Sequence, residues 1–325
     1  MDIGIGLPNS VLGADGALLI DWAKRADERG FSSLATIGRV AYPTFEEISV
    51  LSAAAAVTSR IGLLTNILVA PTRNLVLLAK QAATLDRLSG GRFTLGLAAG
   101  VRADDFAASG QDLSTRGRRL DEGLELMHRA WRGEPVAGAG KAVCPRPVNG
   151  DRVPVIVGGD PSMPAIAARV VKWGIGWTAG GLPAEMLAEP VAAVRQAWTD
   201  AGKEGSPRLV ALTYFSLGEG TDDLSRRNLR DYYDYIPDYV DFIVEGAARG
   251  EEAVQARVKA YEAAGFDELI LDPVGRRARS GRPSRRRSPM TPFCRAHVPE
   301  TGTSARQNRG PLGSTLPPWR FLASS

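Results

Sequence analysis

Short apolar runs alternate along the chain with longer stretches whose apolar residues recur at helical spacing, the pattern of β/α units laid around a parallel sheet. The runs Asp2–Leu7, Ser33–Ile37, Ile61–Asn66, Phe93–Ala98, Val153–Val157, Ile175–Thr178, Leu209–Phe215 and Glu268–Leu271 predict eight strands. Between them, Ala17–Arg29, Phe45–Thr58, Asn74–Leu88, Arg118–Trp131, Met163–Trp173 and Ala184–Ala201 predict amphipathic helices, some closed by stop signals such as Gly30 and Ser89-Gly90-Gly91. Eight units predict a closed barrel, because open doubly wound sheets use fewer and carry a glycine fingerprint after the first strand. Here that position reads Leu7-Pro8-Asn9-Ser10, and the G-x-G-x-x-[GA] match at Gly174, Gly176 and Ala179 falls before and within a strand. The fold class is therefore α/β, a (β/α)8 TIM barrel over residues 1–274. It has an insertion after the fourth strand, about Gly100 to Val153, whose Pro/Gly-rich part is expected over the barrel mouth.

Beyond Asp272-Pro273 the periodicity stops. Residues 275–325 carry eleven arginines, no lysine and one acid, Glu300, a net +10 that leaves the remaining 274 residues at −6. With no apolar face of helical spacing, this Arg/Pro/Ser/Gly-rich tail replaces the last outer helix and reads as disordered. Arginine clusters such as Arg285-Arg286-Arg287 neutralise phosphate in nucleic-acid-binding arms. The composition is equally that of a shifted reading frame in a GC-rich gene, and the second reading is preferred. Hydropathy offers no bilayer-spanning run and no signal region follows Met1, so a cytoplasmic protein is expected. Cys144 and Cys294 form neither a disulfide framework nor a metal spacing.

Reactive side chains are scarce. Of two histidines, His128 lies within a helix, where a surface or interface role is expected, and His297 lies in the tail. No metal-ligand spacing, nucleophile elbow or phosphate-cradling loop is present, so no metal is expected. A chain this poor in acid-base groups must borrow its reactivity, and a cofactor is the economical source.

The run Ile61–Pro71 (IGLLTNILVAP), continuing through Arg73-Asn74 and Ala79–Phe93 (AKQAATLDRLSGGRF) to Leu95–Gly100 (LGLAAG), resembles the luciferase-like monooxygenase superfamily. That superfamily includes bacterial luciferase and the relatives that use the deazaflavin coenzyme F420. Arg116–Glu122 (RGRRLDE), Val155–Gly159 (VIVGG) and Trp173–Trp177 (WGIGW) extend the resemblance, which covers residues 1 to about 273 and none of the tail.

The resemblance implies a flavin site at the C-terminal strand ends. Thr65, Asn66 and Ile67 would form a bulge, with a non-prolyl cis peptide at about Asn66-Ile67, supporting the isoalloxazine ring. Taken alone, Asn66 also reads as a turn cap at an ordinary strand end. Gly158-Gly159 and Gly180-Gly181 would approach the cofactor phosphate, with Arg116, then Arg119, as its cation. As isolated pairs those glycines are ordinary turns. Ala98, Ala99 and Gly100 would leave room for a flat ring, and Leu7, Trp177, Tyr214 and Phe215 would wall it.

One position departs from the pattern. Where many F420-using relatives have an acid followed by histidine at the end of the second strand, this chain has Gly38-Arg39. That favours reduced FMN with O2, leaving Arg39 and Asn66 as the catalytic candidates. The implied activity is monooxygenation of a small organic substrate by a homodimer served by a separate flavin reductase. F420-dependent hydride transfer and a non-catalytic flavin-binding barrel are the alternatives.

Overall fold

The computed structural model describes residues 1–218 and 220–275, so the expectations for the tail lie outside the described residues. In chain order the strands are β1 (Asp2–Gly6), β2 (Ser33–Thr36), β3 (Gly62–Thr65), β4 (Leu68–Val69), β5 (Phe93–Ala98), β6 (Val155–Gly158), β7 (Gly176–Thr178), β8 (Arg208–Ser216), β9 (Ala248–Arg249) and β10 (Glu268–Pro273). Eight of them form the predicted barrel, and β4 and β9 are two-residue additions beside β5 and β8. Every pairing is parallel. The ring closes because β10 pairs with β1 on one side, Asp2 opposite Glu268, and with β8 on the other, Glu268 opposite Val210.

Alternation along each strand sends one set of side chains inward and the other out. Ala35, Leu64, Ile156, Val210, Leu212 and Ile270 fill the barrel interior. Leu34, Leu63, Leu95, Val155, Val157, Leu269 and Leu271 form the larger core outside it. That core is covered by α1 (Gly16–Glu28), α2 (Glu47–Val57), α3 (Leu75–Leu88), α4 (Ala103–Ala108), α5 (Arg116–Trp131), α6 (Pro164–Trp173), α7 (Ala188–Asp200), α8 (Asp222–Tyr232), α9 (Pro237–Gly246) and α10 (Glu251–Ala263). Local chemistry sets several boundaries. Asp15 accepts from Leu18 N at 2.8 Å to start α1, Asn74 accepts from Leu77 N at 3.0 Å to start α3, and Gly30 at φ 85° follows the end of α1.

Three features differ from the sequence expectation. The helices α4, α8, α9 and α10 were not read from the chain; α4 is a short six-residue helix and α8 is almost wholly polar. The Pro/Gly-rich stretch after α5 does not cover the mouth. Its Val148 N donates to Asp86 Oδ2 at 2.6 Å and its residues pack on Gly91, which places it at the opposite end of the barrel, where the chain must return to enter β6. His128 is buried rather than superficial, held between Trp131 and Trp173 with ring centroids 5.1 and 4.9 Å away.

Candidate active site

The C-terminal strand ends divide into two halves. At the ends of β3, β6 and β7 lies a cavity of about 510 Å3, lined among others by Asn66, Ile67, Gly158, Gly159, Trp177 and Gly180. That volume lies within the range of roughly 300–1,000 Å3 common to ligand pockets. The Asn66-Ile67 peptide bond is cis. Asn66 Oδ1 accepts from Thr178 Oγ1 at 2.7 Å across the barrel, whereas Asn66 Nδ2 is buried without a partner. A buried amide donor left unpaired costs stability unless a ligand meets it.

Gly158 has little room for a side chain. A methyl built on it would fall 3.2 Å from Ile67 Cγ2 and 3.4 Å from Thr178 Cγ2, and Gly159 has φ 124°. Trp177 Nε1 donates to Gly159 O at 2.7 Å, which fixes this turn ahead of α6. Asp160 Oδ1 accepts from Ser162 N at 2.9 Å, so a carboxylate caps the N–H that an anion entering here would use. Glu189 lines the same cavity, making its outer rim acidic.

The other predicted residues lie beside the cavity or away from it. Ala98 stands next to Gly158, and a methyl built on Gly181 would fall 3.5 Å from the ring of Tyr214. Thr65 is fully buried, its hydroxyl donating to Gly96 O at 2.7 Å. Leu7 and Phe215 belong to the core outside the barrel, because strand alternation points them toward the helices. Ala99 packs against that core, and Gly100 sits under Val69 and Phe106. Arg116 donates to Leu113 O at 3.0 Å at the start of α5, and Arg119 to Pro71 O at 3.2 Å.

The second half, at the ends of β1, β2, β8 and β10, is filled. Arg39 is buried there, paired with Asp104 at 2.5 Å and Asp234 at 3.3 Å and donating to Tyr232 O at 2.7 Å. Its guanidinium lies 5.0 to 5.7 Å from the ring centroids of Tyr42, Tyr232 and Tyr235. Arg102 stacks similarly at 4.6 Å from Tyr235 and 5.1 Å from Tyr232. Below them the hydroxyls of Tyr214 and Tyr233 hydrogen-bond each other. Burial pushes the Tyr233 hydroxyl up to about 12 and raises that of Tyr214 well above its ordinary value.

Sequence reading missed Asp272, the most unusual group of this half. It is 1% exposed, neither carboxyl oxygen has a partner, and burial drives its proton affinity well above the usual carboxylate range. Its signal was an acid closing the otherwise apolar strand Leu269-Ile270-Leu271. Thr178, which orients Asn66, was missed as well, being indistinguishable from any strand threonine. Among the described residues no group of three or more His, Cys, Asp or Glu is arranged to hold a metal ion, and no helix is long and apolar enough to cross a membrane.

Comparison with known proteins agrees with this geometry. The chain is 35% identical over 173 residues to an uncharacterized protein of Mycobacterium tuberculosis, an alignment covering 50% of this chain and 59% of that relative. The aligned part thus spans about three-fifths of that relative's length. Among solved structures, the monooxygenase RslO1 from Streptomyces bottropensis superposes with a TM-score of 0.70 at 22% identity, over 84% of this chain and 92% of that one. An F420-dependent secondary alcohol dehydrogenase in complex with an F420-acetone adduct gives 0.68 at 17% identity, over 84% and 93%. The oxygenating constituent of 3,6-diketocamphane monooxygenase from Pseudomonas putida, a type II Baeyer-Villiger enzyme in complex with FMN, gives 0.64 at 17%, over 84% and 91%. At these identities the likeness speaks for the fold. The family model for luciferase-like monooxygenases matches residues 1–276, the whole barrel, and the chain therefore belongs to the luciferase-like monooxygenase family of oxidoreductases.

Proposed function

We propose that the cavity half of the mouth holds FMN and that the chain is a monooxygenase acting with O2 on a small organic substrate. The observation that carries this reading is the unpaired Asn66 Nδ2, buried on the wall of a 510 Å3 cavity beside the Gly158-Gly159 turn. An isoalloxazine ring offers the carbonyl and ring-nitrogen acceptors this donor lacks. The flavin, once reduced, supplies the two electrons and the oxygen-activating chemistry that the side chains cannot.

The chain's own residues bind, orient and exclude water. Asn66 donates to the ring from a position fixed by Thr178. Ile67, Leu187 and Trp177 make a dry wall, which strengthens every polar contact inside it. The backbone N–H groups after β6 meet the phosphate once the Asp160 carboxylate turns off Ser162 N. Of the sequence candidates, Arg39 takes no part in this, since its charge is already spent on Asp104 and Asp234. The reading includes a separate reductase that supplies reduced flavin, and a cytoplasmic homodimer.

Titration of the purified chain with FMN and with F420, followed by fluorescence quenching and by mass spectrometry of any chromophore released on denaturation, tests the reading. FMN binding with substrate-dependent oxygen uptake above the rate of free reduced flavin is the expected outcome. Binding of F420 alone would replace it with hydride transfer, and binding of neither would end it.

A further inference from the structure

The charges around the open cavity are all of one sign. Of the residues that line it, Asp160 and Glu189 are ionisable, both are acids, and no lysine or arginine joins them. Asp160 comes from the turn after β6 and Glu189 from the first turn of α7, and both are exposed at the outer rim. Asn66 and its unpaired Nδ2 lie buried at the other end. The rest of the rim is apolar, with Leu182 and Met186 exposed beside the acids. The cations that the neighbouring helices could send are held elsewhere. In α5, Arg116 and Arg119 donate to Leu113 O and Pro71 O. In α6, Arg169 reaches Asp121 with two bonds of 2.7 and 2.9 Å, and Lys172 pairs with Glu125; in α7, Arg195 donates to Gly265 O.

We propose that Asp160 and Glu189 are specificity-determining residues that read the charge on the cofactor's tail. They admit a flavin whose tail ends in a single phosphate and turn away F420, whose tail runs on into a chain of glutamate carboxylates. The inference rests on the reading that this cavity holds a flavin ring at Asn66.

A ring bonded to Asn66 Nδ2 leaves the outer end of the cavity for its tail, and there the tail meets the two carboxylates. Backbone groups offset them only in part. Pro164 opens α6 without an N–H, and the Ser162 N–H is already taken by Asp160 Oδ1 at 2.9 Å. One phosphate can take that N–H when the Asp160 carboxylate swings off it. Among the lining residues, the charges that follow in a longer anionic tail have only the two acids and the apolar rim to meet. Each added negative charge therefore raises the cost of binding. Both acids are exposed, so water and salt soften the repulsion, and the selection is graded by charge and by ionic strength.

The test titrates riboflavin, FMN and F420 into the full chain at low and at high salt, with affinity read by fluorescence quenching. It compares the wild type with Asp160→Asn, Glu189→Gln and the double variant. Asp160→Asn keeps an oxygen to accept from Ser162 N, so the turn is retained. In the double variant at low salt, FMN should bind about fivefold more tightly and F420 at least about twentyfold, each single variant giving part of the gain, and high salt should shrink both gains. Riboflavin, which has the ring and no phosphate, should change less than about twofold, whereas an altered cavity shape would move all three ligands. Equal gains for FMN and F420, no gain for either, or gains that ignore salt would overturn the proposal. The two readings fail in different ways. A wild type that binds none of the three ligands ends both, while one that binds FMN with an FMN-to-F420 preference unmoved by the substitutions sinks this inference alone.

Discussion

The two halves of the barrel mouth crowd their glycines to different degrees. At the end of β1 a methyl built on Gly6 would fall 2.7 Å from Asp272 Oδ1 and 2.9 Å from Asp272 Cα, a backbone atom of the neighbouring strand. At the end of β6 a methyl on Gly158 would fall 3.2 Å from Ile67 Cγ2 and 3.4 Å from Thr178 Cγ2, a tight fit but against side chains alone, and the cavity opens beside it. What separates a plugged strand end from an open one is therefore how closely the neighbouring strand presses on each glycine.

The largest expected effect tests that crowding. Gly96 on β5 lies below the open half, and a methyl built on it would fall 1.9 Å from the Thr65 carbonyl oxygen, a backbone atom that cannot rotate away. Gly96→Ala should cost about 3 kcal/mol, the upper part of the usual overpacking range. Urea denaturation at constant slope measures it. A cost below about 1 kcal/mol would show that β3 can give way to β5, and crowding at a glycine would then not measure how closely strands press.

Next in size is the anchor of the filled half. Arg39→Met removes two ion pairs, the bond to Tyr232 O and the stacking on three tyrosine rings, and should cost about 2 kcal/mol. FMN affinity should change less than about twofold, a free energy under RT ln 2, because Arg39 is absent from the cavity lining. A large loss of FMN binding with no loss of stability would erase the boundary between the halves.

A third test reads the filled half through protons. Burial raises Asp272 above its ordinary value of 3.8, so from that pH upward the folded state keeps a proton that the unfolded chain has released. Stability must then fall as pH rises, by at most about 1.4 kcal/mol per pH unit, until Asp272 itself ionises. Asp272→Asn lacks this slope, so its stability advantage over the wild type should grow from about pH 4 upward, read by urea denaturation at several pH values. His128, pushed down to about 4 chiefly by burial, acts with the opposite sign: it costs stability as pH falls below 6.5. It does so in both chains and cancels in the difference. A pH-independent difference would mean that Asp272 ionises normally and that the filled half is wetter than its packing implies.

How much of this was legible in the sequence follows from the range over which each signal acts. Strand and helix periodicity is local, and all eight barrel strands were readable, as was the open half, because Asn66-Ile67 and Gly158-Gly159 sit in motifs carried by a contiguous run of residues. The filled half depends on meetings across long separations, Arg39 with Asp234 and Tyr42 with Tyr232, that no local pattern records. Three of its tyrosines, Tyr232, Tyr233 and Tyr235, also lie at the end of α8 and in the turn after it, in a segment too polar to announce a helix. Arg39 was read as a catalytic candidate without its ion pairs for the same reason: its acidic partners come from α4 and from the α8–α9 connection.

The smallest effect is the most specific to the open half. Asn66 and Thr178 share one hydrogen bond, and removing either side chain should cost about 1 kcal/mol of stability. The two substitutions differ in what else they take. Thr178→Val leaves the Asn66 amide and its unpaired Nδ2 on the cavity wall. Asn66→Ala deletes that donor. If the donor is kept for the cofactor, Asn66→Ala should weaken FMN binding by about tenfold more than Thr178→Val, roughly 1.4 kcal/mol, while the two melt at similar temperatures. Equal losses of affinity would mean that the shared bond merely shapes the cavity. The unpaired amide would then be a cost of folding rather than a contact waiting for its partner, and the open half would be defined by its cavity alone.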